Sequence, residues 1–421
     1  MGSRRAGTSS TNQYEQELFD TFCQKVVTLC LSVFKNATFA VSRLKGGACN
    51  RITTITVTSV HPRKLSLAWL RSLTLSRKGR IQVQGPTKYI SRTPRKKRPN
   101  EDDKSRFDAV TLAFAYRVLL HFVPRIVQVD LESANAIERP YTIQDRLPGH
   151  NLAHVWELLT AFQRERTLDE IVRIMKTLHE VQYRMPGYIA DTNDPSHVSG
   201  TDNIKLSIYK LNVGYDRLQC DETPRTMPAV LQSTLEFMSE QAERWERVNA
   251  FLDLPNVTRW RQFKIIAQSL HDIGFIPDTD KFYFCHLDLF PRNILIQTTK
   301  DSGLSTTGVV DWDADYAHFC PKFVAYRAPF WLWLEPGQDG YDETMASLDP
   351  KSPHLLRLKR RWEEQASDEL KRYAYTPEYM VARSLCSVLS RGIGWPNISR
   401  QARTVVACWQ ALHYGPRLDA T

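Results

Sequence analysis

The stretch Phe284–Ile296, FCHLDLFPRNILI, constrains this chain more than any other. It places a His, an Asp and an Asn within eight positions and walls them with residues that favour burial. Downstream, NILIQ and GVVDWD flank a turn rich in Thr, Asp, Ser and Gly, the pattern of a β-hairpin over 293–311. In an antiparallel hairpin the start of the first strand lies beside the end of the second, so Asn293 comes next to Asp311. Asp288, five residues before Asn293 in a Pro-containing loop, folds over the same end. Taken singly, such Asp and Asn residues are explained by local turn hydrogen bonds. Together they offer more. An amide oxygen and a carboxylate are hard ligands suited to Mg²⁺, and a further carboxylate off the metal suits aiming or deprotonating a hydroxyl. Phosphoryl transfer needs those parts.

Bulk properties narrow the alternatives. With 421 residues, 42% hydrophobic and 24% charged, the chain has the composition of a soluble globular protein. The run VVTLCLSVF (26–34) is about half of the ~20 residues a membrane span needs. The N-terminus lacks the charged-then-apolar-then-small layout of a signal peptide. Eight scattered cysteines form no Cys-x-x-Cys pair, which argues against structural zinc and for free thiols in a reducing, cytoplasmic setting. The net charge of +10 is concentrated in 63–106. There Arg95–Arg98 offers a nuclear signal or a phosphate-binding patch; bracketed by prolines and followed by Glu101, Asp102 and Asp103, it reads more plainly as a solvated loop, without the interleaved aromatics that single-stranded nucleic acid requires.

The order of elements implies α+β architecture. An amphipathic leading helix occupies 13–35, within an N-terminal extension of residues 1–35. Residues 36–146 read as a small β-rich lobe: strand, Gly pair and strand over 38–60, a basic insertion at about 61–87, a strand at TKYISRTPR, a helix at 105–121, then RIVQVD and PYTIQDRL. From 147 to 421 the chain reads as mostly helical. A capping box of Thr167 with Glu170 predicts a helix over 167–182. A second helix is expected from Thr258, with Trp260, Phe263, Ile266 and Leu270 inward and Gly274 as its stop. On that reading HDIG (271–274) is a helix C-terminus rather than a metal motif.

His286–Asn293, HLDLFPRN, fits the kinase catalytic-loop pattern H-R-D-L-x-x-x-N except at Leu287, and VVDWD falls where D-F-G would lie. The pair resembles the aminoglycoside phosphotransferase and choline kinase-like family, a branch of the bilobal protein-kinase-like fold, as an ordered series of segments over roughly 40–330. The resemblance implies an ATP- and Mg²⁺-dependent transfer of the γ-phosphate to a small-molecule hydroxyl. It makes Asp288 the catalytic base, Asn293 and Asp311 the Mg²⁺ ligands, and His286 a brace for the loop. LKGGACNRI is similar to the loop over the ATP phosphates, with Gly46 and Gly47 admitting the nucleotide. YISRTPR resembles the strand whose basic residue, here Arg92, holds phosphate. PYTIQDRLPG resembles the hinge, with backbone near Gln144–Arg146 receiving adenine.

The pattern is altered in three places. Arg92 stands where most kinases carry Lys, its acidic helix partner is best matched by Asp108 instead of Glu, and Leu287 removes the Arg that answers an activation-loop phosphate. The last change suits a small-molecule kinase. The altered N-lobe leaves open a rival, a pseudokinase kept as a nucleotide-binding or scaffolding module. For the acceptor, APFWLWLEPGQDGYDE sets Trp331 and Trp333 before Glu335, Asp339, Asp342 and Glu343. Aromatic faces beside carboxylates suit an amine-bearing acceptor. The plainer reading is a core Trp pair and a solvated acidic loop.

Overall fold

The computed structural model describes residues 16–34, 36–44, 49–59, 86–95, 101–192, 206–213, 227–279, 281–298, 303–394 and 396–414. Gly46, Gly47 and the basic insertion through residue 85 lie outside the described residues. Two compact units are present: residues 1–113 with 124–147, and residues 114–123 with 148–421.

The first unit is built on an antiparallel sheet. Its strands are β1 (Ala37–Arg43), β2 (Asn50–Ser59), β3 (Thr87–Pro94), β4 (Ile126–Asp130) and β5 (Tyr141–Asp145), in the order β1-β2-β3-β5-β4. The β-branched run of β2 alternates in the strand period, so Ile55 and Val57 share one face. That face, continued by Tyr89, Tyr141 and Ile143, is covered by the helix Phe19–Val33 through Phe22, Val26, Leu29 and Cys30. The leading helix is therefore part of the sheet's core.

The second unit mixes short sheets with helices. β6 (His150–Asn151) pairs with β11 (Ile294–Thr298), which pairs with β12 (Leu304–Val309). β7 (Gln182–Tyr183) and β13 (Ala317–Pro321) flank β10 (Phe282–His286), and β8 (Tyr188–Thr192) pairs with β9 (Leu206–Tyr209). The helix expected from Thr258 is observed at Val257–Asp272, with Trp260, Phe263, Ile266 and Leu270 fully buried. Trp260 stacks on Trp245 of the helix Thr234–Phe251, ring centroids 5.3 Å apart. Such pairs add roughly 0.5–1.5 kcal/mol beyond their area.

One expectation is corrected. The helix placed at 167–182 starts earlier, at Ala161, capped by Thr160 with Gln163, and Thr167 lies inside it, its hydroxyl donating to the Gln163 carbonyl. In its first two turns the only apolar residues are Ala161 and the exposed Phe162, which make no apolar stripe, so periodicity was silent there. Residues 317–321, inside the stretch read as mostly helical, form β13. All five are buried, which erases the in-out alternation that marks a strand. Among the described residues the cysteines are free, and no helix is long and apolar enough to cross a membrane.

Candidate active site

β10 and the β11–β12 hairpin create the setting. β10 ends at His286, and the chain turns through 287–290 into a single 3₁₀ turn, Pro291–Asn293, before entering β11. The turn closes on its own amides: Phe290 N donates to the Asp288 carbonyl at 2.8 Å and Asn293 N to the Phe290 carbonyl at 2.9 Å. At the hairpin's open end Val310 N donates to the Asn293 carbonyl at 2.9 Å, so Asn293 and Asp311 are brought to the same end. Gly149, at φ 103°, lets the strand His150–Asn151 lie against β11; a Cβ there would come within 2.5 Å of the Ile296 carbonyl oxygen.

His286 holds the loop by both ring nitrogens. Nδ1 accepts from the Asp288 amide at 3.2 Å and Nε2 donates to the Val310 carbonyl at 3.1 Å. That pairing requires the neutral Nε2–H tautomer. Burial agrees, pulling its pKa down to about 4. The imidazole thus ties the Asp288 loop to the strand that ends before Asp311. Arg327 adds a second tie, its Nη2 donating to the carbonyls of His286 and Leu287 at 3.2 and 3.0 Å.

Asp288 and Asn293 interlock. Asn293 Nδ2 donates to the Asp288 carbonyl at 2.9 Å and to its Oδ2 at 2.7 Å. With the amide nitrogen so used, the Asn293 oxygen is the atom left to act as a ligand. Asp311 adopts φ 72°, a left-handed conformation that non-glycine residues rarely hold. It is held there from both sides: the Val310 amide is bonded to Asn293, and Trp312, buried, donates its indole N–H to the Val309 carbonyl at 2.9 Å and stacks on Phe284. Strain of this kind collects at functional sites.

These residues suit Mg²⁺. The ion keeps several waters or phosphate oxygens and takes one or two hard oxygen donors from protein, which is the donor set of Asn293 and Asp311. No group of three or more His, Cys, Asp or Glu side chains that could hold a metal occurs among the described residues.

The other predicted residues lie in the first unit. Register places Arg92 across from Ile52 and Thr142, and Gln144 across from Ile90, on the sheet face opposite the Ile143 core. Arg92 is half-buried and engaged, and Asp108 forms a 3.7 Å ion pair with Lys104. Gln144 is buried, with no hydrogen-bond partner on its Oε1. Arg146 directs its guanidinium to the Thr54 hydroxyl at 3.2 Å. The amides of Asp145 and Arg146 are taken by the carbonyls of Arg125 and Lys88, which removes them as donors to adenine.

Sequence reasoning passed over Arg292. Its Nε donates to Asp288 Oδ2 at 3.1 Å, its Nη2 to Oδ1, and its Nη1 to the Tyr341 hydroxyl at 3.0 Å. The i,i+4 spacing from Asp288 was a usable signal; Tyr341, in a distant loop, left none. In that loop the groups offered to an amine serve the fold. Trp333 is buried against Trp362, Glu335 accepts from the amide and hydroxyl of Ser352, and Glu343 pairs with Arg383 at 2.6 Å. Asp339 and Asp342 accept from the amides of Tyr341 and Thr344.

A family model described as the phosphotransferase enzyme family matches residues 74–319. No curated protein sequence matches the chain. Among solved structures, aminoglycoside phosphotransferase APH(4)-Ia is similar at 14% identity and a TM-score of 0.46, covering 92% of this chain and 98% of its own. A putative fructosamine-3-kinase from Thermobifida fusca YX-ER1 is similar at 13% identity and a TM-score of 0.45, covering 91% and 98%. The family match takes in the catalytic-loop segment, the hairpin and Asp311, and it spans well over half of the 421 residues. The chain belongs to the phosphotransferase enzyme family.

Proposed function

We propose that this protein is a small-molecule kinase that transfers the γ-phosphate of ATP, with Mg²⁺, to a hydroxyl. The observation that carries the reading is the interlock of Asp288 with Asn293, next to an Asp311 held in a left-handed conformation. Asn293 and Asp311 hold the metal. When bound, Mg²⁺ neutralises charge on the phosphate oxygens. Asp288 accepts the acceptor's proton and aims its oxygen in line at the γ-phosphorus, while the bond to the bridging oxygen of the ADP leaving group breaks. His286, neutral and doubly bonded, positions the Asp288 backbone and takes no proton itself.

In the first unit Arg92 contacts phosphate with Asp108 as its acidic partner, and Gly46 and Gly47 admit the nucleotide. The orphaned Oε1 of buried Gln144 supports a ligand at the hinge, where an adenine amino group is a suitable donor. Arg146 then contributes through its side chain and carbonyl, its amide being used within the sheet. Free cysteines among the described residues fit a cytoplasmic enzyme.

A second reading, a catalytically silent nucleotide-binding module, is favoured by one observation. Both Asp288 oxygens are already capped by Arg292, and one of them by Asn293 as well. Thermal unfolding with ATP, with and without Mg²⁺, tests the site on wild type, Asp288→Asn and Asp311→Ala. Mg²⁺-dependent stabilisation kept by Asp288→Asn and lost by Asp311→Ala is expected. No shift in the wild type at millimolar nucleotide would overturn the kinase reading. ADP release stimulated by a hydroxyl acceptor, and abolished in Asp288→Asn, decides against the silent module.

A further inference from the structure

Asp288 rests against a cation. Arg292 pairs with it through two nitrogens, while Arg327 and Arg391 are bonded elsewhere. Arg327 bonds the carbonyls of His286 and Leu287, while Arg391 bonds the Ser387 and Gln401 side chains. Neither is paired with a carboxylate among the described residues. Glu343 is committed to Arg383. The guanidinium of Arg292 thus engages both oxygens of Asp288, and the same pair of N–H donors suits the two oxygens of an anionic acceptor.

Arg292 is also presented for use. Its guanidinium carbon lies 4.9 Å from the Phe290 ring centroid and 5.8 Å from that of Tyr341, and the two rings pack 5.4 Å apart. Tyr341 is exposed, and so is Arg292. The result is a planar fork, fixed by aromatic faces at the surface, with a carboxylate as its resting partner. Guanidinium geometry matches two oxygens of a carboxylate or a phosphate equally well.

We propose that the acceptor carries an anionic group, a carboxylate or a phosphate, beside the hydroxyl to be phosphorylated, and that Arg292 recognises it. The inference rests on the phosphotransferase reading of the site. Two oxygens of the acceptor's anion take the Arg292 N–H donors that cap Asp288 in the resting protein. An Asp288 oxygen is thereby released to receive the hydroxyl proton as the acceptor oxygen bonds to the γ-phosphorus and the bond to ADP breaks. Release of the base by the correct substrate alone also limits wasteful hydrolysis of ATP.

The test uses the purified full chain and matched small alcohols: glycerate, glycerol 3-phosphate, glycerol, ethanolamine and hygromycin B. ADP release and thermal shift are read for wild type, Arg292→Ala and Arg292→Lys. In the wild type the anionic alcohols are expected to give at least a tenfold higher kcat/KM than glycerol, ethanolamine or hygromycin B. Preference between glycerate and glycerol 3-phosphate separates carboxylate from phosphate recognition. Arg292→Ala is expected to raise KM for the anionic alcohols at least tenfold, keep its Mg²⁺–ATP shift, and release ADP faster without acceptor. Arg292→Lys, a cation without the fork, should recover part of the anion preference. Preference for the amines, or no stabilisation or turnover from any anion in the set, would overturn the proposal. So would loss of the Mg²⁺–ATP shift in Arg292→Ala, which would assign the fork to the nucleotide. A wild type that ignores Mg²⁺–ATP yet is stabilised by the anions through Arg292 would sink the kinase reading while leaving anion recognition standing.

Discussion

Replacing Asp311 by glycine and by alanine separates what the backbone demands at this position from what the carboxylate supplies. At φ 72° a residue with a Cβ costs roughly 1–2 kcal/mol, and alanine bears that in full. Glycine adopts the conformation freely but gives the unfolded chain more entropy, worth about 0.4–1 kcal/mol. Both variants lose the same carboxylate contacts. The glycine variant should therefore be more stable than the alanine variant by about 0.5–1 kcal/mol without ligand. That corresponds to a melting temperature higher by about 1–4 °C for a domain of this class. Ligand behaves differently: at ATP concentrations near a hundred times Kd the wild type gains about 2.7 kcal/mol, and the Mg²⁺-dependent part should vanish in both variants. The assay is thermal unfolding of the three proteins with ATP and either Mg²⁺ or EDTA. Equal stability of the two variants would refute the strain argument, and Mg²⁺-dependent stabilisation surviving in the glycine variant would refute Asp311 as a metal ligand.

Two further outcomes follow from packing and burial. Burial holds the pKa of His179 and of His318 down to about 4, below the unfolded value of about 6.5, so the native state binds fewer protons than the unfolded state. Stability from each is intact above about pH 6.5 and falls as the pH drops toward 4, by on the order of 2 kcal/mol per histidine at pH 5; unfolding midpoints in urea measured from pH 7 to 4.5 should decline, and His318→Gln should flatten the slope. Gly392 sits at φ 72° with Trp245 ring atoms 2.3 Å from where a Cβ would stand. Gly392→Ala should cost about 2–5 kcal/mol from left-handed strain and overpacking combined, read by urea unfolding; a loss below 1 kcal/mol would show that Trp245 shifts aside freely.

Legibility followed sequence distance. The Asp288, Asn293 and Asp311 arrangement lies within 24 residues, and hairpin pairing allows those positions few alternatives. The helix Val257–Asp272 was equally readable, because a single stripe of Trp260, Phe263, Ile266 and Leu270 repeats at the helical period. The start of the helix at Ala161 was not, since Thr160 with Gln163 and Thr167 with Glu170 satisfy one local pattern and only packing chooses between them.

What the sequence by itself determined is the local chemistry: a polar loop between buried strands, a hairpin that brings an amide to a carboxylate, and the α+β class that such alternation of periods implies. Tertiary structure alone decided which side chains were already spent. Glu335 and Glu343, acidic residues open to an amine on paper, are committed to Ser352 and Arg383. Arg292, to which the sequence alone assigned no role, caps Asp288 and reaches Tyr341, 49 residues away. The reason is physical. Secondary structure follows from interactions between near neighbours along the chain, whereas the charge balance of a site depends on groups that meet only after folding.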